Sequence, residues 1–289
     1  MNRYCYQYPH PAVTVDCVIF GFDGEELNVL LIRRGVEPFR DSWALPGGFM
    51  KIDESAEDAA RRELMEETSL DAEYLEQFHT YSLPNRDPRE RVVTIAFVAL
   101  VKMQEVHGGD DAQEAGWFLV NSLPQLAFDH NEILKDALRY IREKIHFQPL
   151  GFELLPRYFT MKELQKLYET ILGTEFDRRN FSKKILHFDI IKSVENSNEE
   201  EVKRAAAVRF AATCPKQNLT DIQPSRCIES TRSSDEEEND LSTPQKFFAF
   251  LDSGKSSKTS QNSRQSRGKL YEFDEENYKK IKKRGFFEF

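Results

Sequence analysis

Residues 48–70 carry the densest chemistry in the chain. Gly48 is followed after five residues by Glu54, and after seven more by Arg62-Glu63-Leu64-Met65-Glu66-Glu67-Thr68-Ser69-Leu70. On an α-helix, at about 100° per residue, Glu63, Glu66 and Glu67 fall within one arc of about 100°. Three like charges that close repel one another, and a divalent cation turns the same face into a site. Carboxylate oxygens suit Mg²⁺ or Mn²⁺, which complete their shells with water and phosphate oxygens. Arg62 is placed to pin one carboxylate through a bidentate pair. Ahead of the helix, Gly47-Gly48 lets backbone approach a phosphate with no Cβ in the way. A solvated, glutamate-rich helix face is the plainer account of a charge run. The fixed spacing, with Ala56, Ala60 and Leu64 forming an apolar ridge beside the same arc, favours the site.

The elements that must position these residues follow from periodicity. In residues 12–22, Val13, Val15, Cys17 and Ile19 alternate with Thr14 and Asp16, which predicts a strand. Residues 26–33 predict its hairpin partner across the Asp23-Gly24 turn. Trp43-Ala44-Leu45-Pro46-Gly47-Gly48 reads as an irregular loop, and residues 55–68 as a helix rich in strong helix formers. Three further strands are expected at 73–82, 91–101 and 115–120. An amphipathic helix is expected over 131–144, capped by Asp129 or Asn131. Mixed strands with two helices give an α/β (α+β) sandwich.

The chain has 289 residues and a net charge of -9. The length allows one large domain or two ordinary ones and needs no disulfide or structural metal for stability. Cys5, Cys17, Cys214 and Cys227 show no CxxC pairing, which excludes a disulfide framework and a thiolate zinc site. No apolar run reaches the length of a membrane span, and residues 1–15 lack a signal-peptide apolar core, so a cytoplasmic protein with no membrane partner is expected. Residues 1–150 carry 15 basic and 26 acidic side chains, whereas 151–192 carry 8 and 6. His79, His130 and His146 lack a metal-ligand spacing and read as caps or surface residues. Tyr4, Tyr6 and Tyr8 read as a frayed aromatic terminus rather than a base-stacking platform.

The pattern changes after Pro149. Thr160-Met161-Lys162-Glu163 is a capping box, and Met161, Leu164, Leu167, Tyr168 and Ile171 make one apolar helix face. Gly173 stops this helix, Asp177 caps a second over 178–187, and 188–191 reads as extended. Two short helices joined by a tight turn make a helix-turn-helix. The second carries Arg178, Arg179, Asn180, Lys183 and Lys184: Arg and Asn read base edges, and Lys contacts phosphate. A solvated basic face would look the same in a lone helix, but its place after a capped helix favours DNA. Thirteen of residues 193–267 are Ser and an acidic run spans Asp235 to Glu238, which predicts disorder. Two exceptions stand out, a possible helix at 199–212 and the apolar cluster 247–251, the latter read as a chance patch. An alternating strand resumes at 269–273.

With these residues in view, the stretch from Gly48 to Leu70 resembles the signature of the Nudix hydrolases, G-x5-E-x7-R-E-U-x-E-E-x-G-U with U aliphatic. Every defined position matches except that Ser69 stands where the family has Gly, a residue that closes the helix in a left-handed conformation. Trp43-x-Leu45-Pro46-Gly47-Gly48 is similar to the family as well. The resemblance implies a Nudix α/β/α sandwich with a mixed sheet and hydrolysis of a nucleoside diphosphate linked to another moiety. It further implies Glu63, Glu66 and Glu67 as metal-holding catalytic carboxylates with Arg62 beside them and Glu54 in support. Residues 85–94, with Arg86, Arg89 and Arg91, resemble the segment of ADP-ribose-directed members, where the arginines clamp phosphate or ribose; a charged turn before a strand accounts for them equally. The run from Leu154 to Lys184 and the closing stretch from Lys269 to Phe286 resemble the winged helix of Nudix-related transcriptional regulators, which are homodimers.

The expected organisation is therefore a Nudix domain over 1–150, a winged helix-turn-helix over 151–192 and 268–289, and an insertion in the wing over 193–267. Two functions from different classes follow. One is Mg²⁺-dependent hydrolysis of ADP-ribose or a related nucleoside diphosphate sugar, with DNA as a further partner. The other is a transcriptional regulator that senses such a ligand without turnover.

Overall fold

The computed structural model describes residues 7–106, 112–194 and 269–283. One mixed sheet organises the first half, with β1 (Ala12–Phe22) at its centre. β1 pairs antiparallel with β2 (Leu27–Arg34) and parallel with β6 (Val92–Leu100). The short strands β3 (Trp43–Ala44) and β4 (Gly47–Phe49) pair with β2 and β1. Two longer ones, β5 (Tyr74–Tyr81) and β7 (Ala112–Leu119), pair with β6 and β2.

Each face of the sheet carries a helix, and β1 shows why. Val15, Cys17 and Ile19 pack with Ala59, Ala60 and Leu64 of α1 (Ala56–Thr68). On the opposite face Val18, Phe20 and Phe22 pack with Ile133, Ala137 and Ile141 of α2 (His130–Lys144). Thr14 and Asp16 are the polar start of that second face, and the functional cavity opens there. The α/β/α sandwich expected from the sequence is thus present.

α1 begins in a capping box between Ser55 and Asp58 and ends at Ser69, whose φ of 57° and ψ of 22° are left-handed. Ser69 therefore does what the family's Gly does, and its amide donates to Met65 O at 3.0 Å. At α2, Asp129 stands in the cap position without bonding a backbone amide; its carboxylate is committed to Arg86.

The second part begins with a 3₁₀ turn (Phe152–Leu154) and β8 (Phe159–Thr160). α3 (Met161–Leu172) starts in the Thr160–Glu163 capping box and stops at Gly173, and α4 (Arg178–His187) starts from Asp177. β9 runs over Ile191–Ser193, three residues later than the sequence suggests at its start, because Phe188 still closes α4 and Asp189 turns at positive φ. β10 (Leu270–Phe273) lies between β8 and β9, antiparallel to both. It is followed by α5 (Glu275–Lys283), a helix the sequence reading does not foresee. Residues 195–268 thus join two paired strands of the wing. The disorder expected there, the 199–212 helix, the 247–251 cluster, Tyr4 and Tyr6 all lie outside the described residues.

One apolar core runs from α2 into the winged helix through Leu155, Phe159, Leu164 and Leu167. Polar contacts reinforce the junction, as Arg142 Nε donates to Ile171 O at 2.7 Å. No helix among the described residues is long and apolar enough to cross a membrane.

Candidate functional site in the Nudix domain

The mouth of the sheet, the end of α1 and the start of α2 enclose a cavity of about 360 Å³. Its acidic wall comes from α1. Glu63 and Glu67 are buried, whereas the Glu66 side chain is half-exposed, so the helix arc read from the sequence does face the cavity. Burial pushes the Glu63 carboxyl up, and the adjacent Arg62 guanidinium opposes that shift.

Arg62 organises this wall. Its Nε and Nη2 pin Glu54 at 3.0 and 2.7 Å, the bidentate pair the spacing suggests. Its Nη1 donates to Glu63 Oε1 at 2.7 Å and to Glu66 Oε2 at 3.0 Å. Glu54 consequently lies off the cavity lining, and the guanidinium with the Lys51 amide holds its carboxyl down at about 2.

The packing of the loop gives the glycines a reason of their own, beside the one the sequence suggests. A Cβ on Gly47 would sit 2.1 Å from Val15 O of β1, and one on Gly48 would sit 2.4 Å from Glu63 Oε1. Close approach to the strand backbone excludes a side chain at Gly47, whereas at Gly48 a Cβ would displace the Glu63 carboxylate from its place. Gly47 N donates to Glu67 Oε2 at 2.8 Å, tying the loop to the helix.

The same cavity is lined by guanidinium and aromatic groups that the sequence reveals only in part. Arg89 forks onto the buried Asp87 and lies over the Phe49 ring, 5.1 Å from its centroid. Arg34 lies 4.9 Å from the centroid of Phe128, which holds a positive φ of 53°. Arg86 lines the cavity, but its side chain is 4% exposed and is spent on Asp129 and Asp16. Arg91 does not line the cavity; its Nη1 donates to the carbonyls of Leu83 and Val92.

Asp16, Arg34, Asp87, Phe128 and His130 were missed by sequence reasoning. They are brought together from β1, β2, the β5–β6 loop and the start of α2, and no local spacing links them. His130 is buried in the cavity wall, which corrects its reading as a cap or surface residue.

As metal donors, the carboxylates of α1 fit a hard divalent cation in kind and in charge. In arrangement, Arg62 Nη1 already occupies the point between Glu63 and Glu66. Among the described residues no three Asp, Glu, His or Cys side chains converge as a ready-made ligand set. Without a cation, the like charges of Glu63 and Glu66 are bridged by the guanidinium. Arg62 supplies the counter-charge to Glu63 and Glu66.

The predicted DNA-contacting residues sit together on α4. Phe181 and Ile185 turn inward, which leaves Arg178, Arg179 and Lys183 exposed. Asn180 and Lys184 are half-buried on the flank, and burial lowers the Lys184 ammonium.

Known proteins match both parts. Residues 10–141 match the NUDIX domain family and residues 151–208 the family described as the NrtR DNA-binding winged helix domain. The ADPR responsive transcriptional repressor NtrR of Acinetobacter baylyi is 33% identical over 209 residues, spanning 71% of this chain and 84% of that protein. The ADP-ribose pyrophosphatase of Methanocaldococcus jannaschii is 45% identical over 133 residues, 46% of this chain and 76% of its own length. The crystal structure of Shewanella oneidensis NrtR complexed with a 27mer DNA aligns with a TM-score of 0.56 at 30% identity, covering 64% of this chain and 90% of that one. With the box helix, the glycine loop and the winged helix all in place, the chain belongs to the Nudix family and carries an NrtR-type winged-helix domain.

Proposed function

We propose that this chain is a DNA-binding transcriptional regulator whose Nudix cavity takes ADP-ribose or a related nucleoside diphosphate sugar and retains Mg²⁺-dependent cleavage of its pyrophosphate. The observation that carries the reading is that one cavity is lined both by Glu63, Glu66 and Glu67 and by the Arg34–Phe128 and Arg89–Phe49 pairs. A nucleoside diphosphate needs both: cationic groups for its phosphates and aromatic surface for its base. The repressor from Acinetobacter, similar over both domains, supports the regulatory part, and the archaeal pyrophosphatase, similar over the Nudix part, supports the hydrolytic one.

For turnover, Glu63, Glu66 and Glu67 would hold Mg²⁺ (or Mn²⁺), which when bound neutralises phosphate charge and lowers the pKa of water. Arg62, forked onto Glu54, would keep the helix in register with the loop before it. Gly47 and Gly48 let the diphosphate reach the carboxylate wall, and Arg89, backed by Asp87, meets its negative charge. Arg86 acts at one remove, holding Asp16 and Asp129 in the wall. On the DNA side, Arg179 and Lys183 face outward from α4, with Arg178, Asn180 and Lys184 flanking them. A cytoplasmic homodimer would present two such helices to successive half-sites.

A second reading, sensing without turnover, is favoured by one observation: Arg62 Nη1 bridges Glu63 and Glu66. The experiment measures ADP-ribose hydrolysis with Mg²⁺ in the wild type, Glu66→Gln and Glu67→Gln, beside a gel shift on DNA from the protein's own promoter region. Retained chemistry predicts turnover that both variants reduce at least about a hundredfold while remaining folded. Ligand-dependent DNA release without turnover selects the sensor. Equal turnover in all three proteins rejects the carboxylate assignment.

A further inference from the structure

We propose that His130 is a positioning residue for the glycine loop, holding it from the α2 side as Glu67 holds it from the α1 side. Two amides bracket Pro46, which has none. Leu45 N donates to His130 Nδ1 at 2.9 Å, and Gly47 N donates to Glu67 Oε2 at 2.8 Å. Pro46 O accepts from Cys17 N of β1 at 2.8 Å. The turn is thus held from three elements, α2 at Leu45 N, β1 at Pro46 O and α1 at Gly47 N, which is how a loop without regular structure keeps one shape.

The contact fixes the ring's proton. An imidazole that accepts at Nδ1 carries its hydrogen on Nε2, and Nε2 faces Asp16 Oδ1 at 3.6 Å. Asp16 in turn receives Arg86 Nη2 at 3.2 Å, and Arg86 forks onto Asp129, the residue before His130. The ring is 4% exposed, and burial lowers its pKa, in keeping with a neutral acceptor. Leu45 is 2% exposed, so no solvent replaces the imidazole if the acceptor is lost.

Asn and Gln separate positioning from mere packing. The Oδ1 of Asn, bonded to Cγ, stands where Nδ1 stands and can accept the Leu45 amide. The amide of Gln reaches only the Nε2 position, and Leu offers no acceptor. In the full-length ¹⁵N-labelled protein, the Leu45 amide should exchange at least about tenfold faster in His130→Leu and His130→Gln than in the wild type, and within about threefold of it in His130→Asn. The wild-type ring should show the Nε2–H tautomer at neutral pH. Affinity for ADP-ribose, an arm that rests on the function proposed above, should fall in the same order. Equal Leu45 protection in the Asn, Gln and Leu variants overturns the inference. So does an Nδ1–H ring, which the wild type reveals even if a variant does not fold. If the Leu45 order holds but the wild type does not bind ADP-ribose, the positioning role stands and the ligand assignment fails.

Discussion

Arg62 grips Glu54 through two parallel hydrogen bonds, Nε to Oε2 and Nη2 to Oε1, and still reaches two more carboxylates with Nη1. One guanidinium thereby serves three acidic groups and forks onto one of them, a planar bidentate grip that a lysine ammonium cannot make. The grip holds the Glu54 carboxyl at about 2, below its ordinary value of 4.5. A depressed carboxylate stabilises the fold above its unfolded-state pKa and loses that contribution as pH falls through its folded-state pKa. Arg62→Lys should therefore lower the melting temperature at neutral pH. The gap to the wild type should close as pH falls from 4.5 towards 2. A gap that stays constant across that window would show that Arg62 acts through packing alone.

Ser69 pays a backbone cost that the family's glycine avoids. It ends α1 at φ 57°, where a Cβ crowds the following carbonyl. Its amide donation to Met65 O is a backbone contact and needs no side chain. Ser69→Gly should raise stability by about 0.5–1 kcal/mol, the relief of left-handed strain less the added freedom of the unfolded chain. The midpoint of urea unfolding of the Nudix part measures it, and a lower midpoint refutes the strain argument.

The departure at Ser69 also marks what the sequence makes legible. Local periodicity exposes α1, its carboxylate arc, the β1–β2 hairpin and the Thr160–Glu163 cap, because neighbours in sequence remain neighbours along a helix or strand. The rest of the cavity lining is hidden because Arg34, Asp87, Phe128 and His130 are brought in from distant stretches of the chain. Asp16 looked like an ordinary polar position in an alternating strand. It is the point where one face of β1 changes from cavity to core, since Val18, two residues on, packs beneath α2. Arg91 and Arg86 show the converse: their types fit an anion clamp or a charged turn equally, and what decides is that backbone carbonyls hold one and two aspartates the other. α5 escaped notice because its charged residues mask the face that Tyr278 turns to Phe273.

The exposed arc of α4 gives a graded expectation for DNA. Phe181 and Ile185 fix which face is inward, so Arg179 and Lys183 stand opposite, while Lys184 is half-buried on the flank. If Lys183 contacts a phosphate, Lys183→Gln should weaken binding by a similar factor on all sequences and reduce the salt slope by about one. Arg179→Ala, if the guanidinium reads a base, should cost about 1–3 kcal/mol on the preferred site and less on unrelated DNA. Lys184→Gln should change affinity least of the three. Binding titrations at several salt concentrations rank them, and a dominant Lys184 would turn the helix over.

The wing makes a prediction about connectivity. β10 is the middle strand of its sheet, hydrogen-bonded to β8 on one side and β9 on the other. Val194 N donates to Leu270 O at 3.0 Å, and Asp274 N donates to Ile190 O at 2.8 Å, so the pairing closes at both ends of the strand. Phe273 stacks on Phe152 at 4.3 Å, anchoring β10 to the segment that precedes the helix-turn-helix. These contacts bind residues 269–283 to the core through space, independently of the chain between 195 and 268. A single engineered protease site midway between residues 195 and 268 should yield two pieces that co-elute in size exclusion under native conditions and separate only in denaturant. DNA affinity should then survive the cut, because α4 is positioned by α3 and the sheet. Release of the C-terminal piece without denaturant would mean that covalent connection, not strand pairing, keeps β10 in the wing.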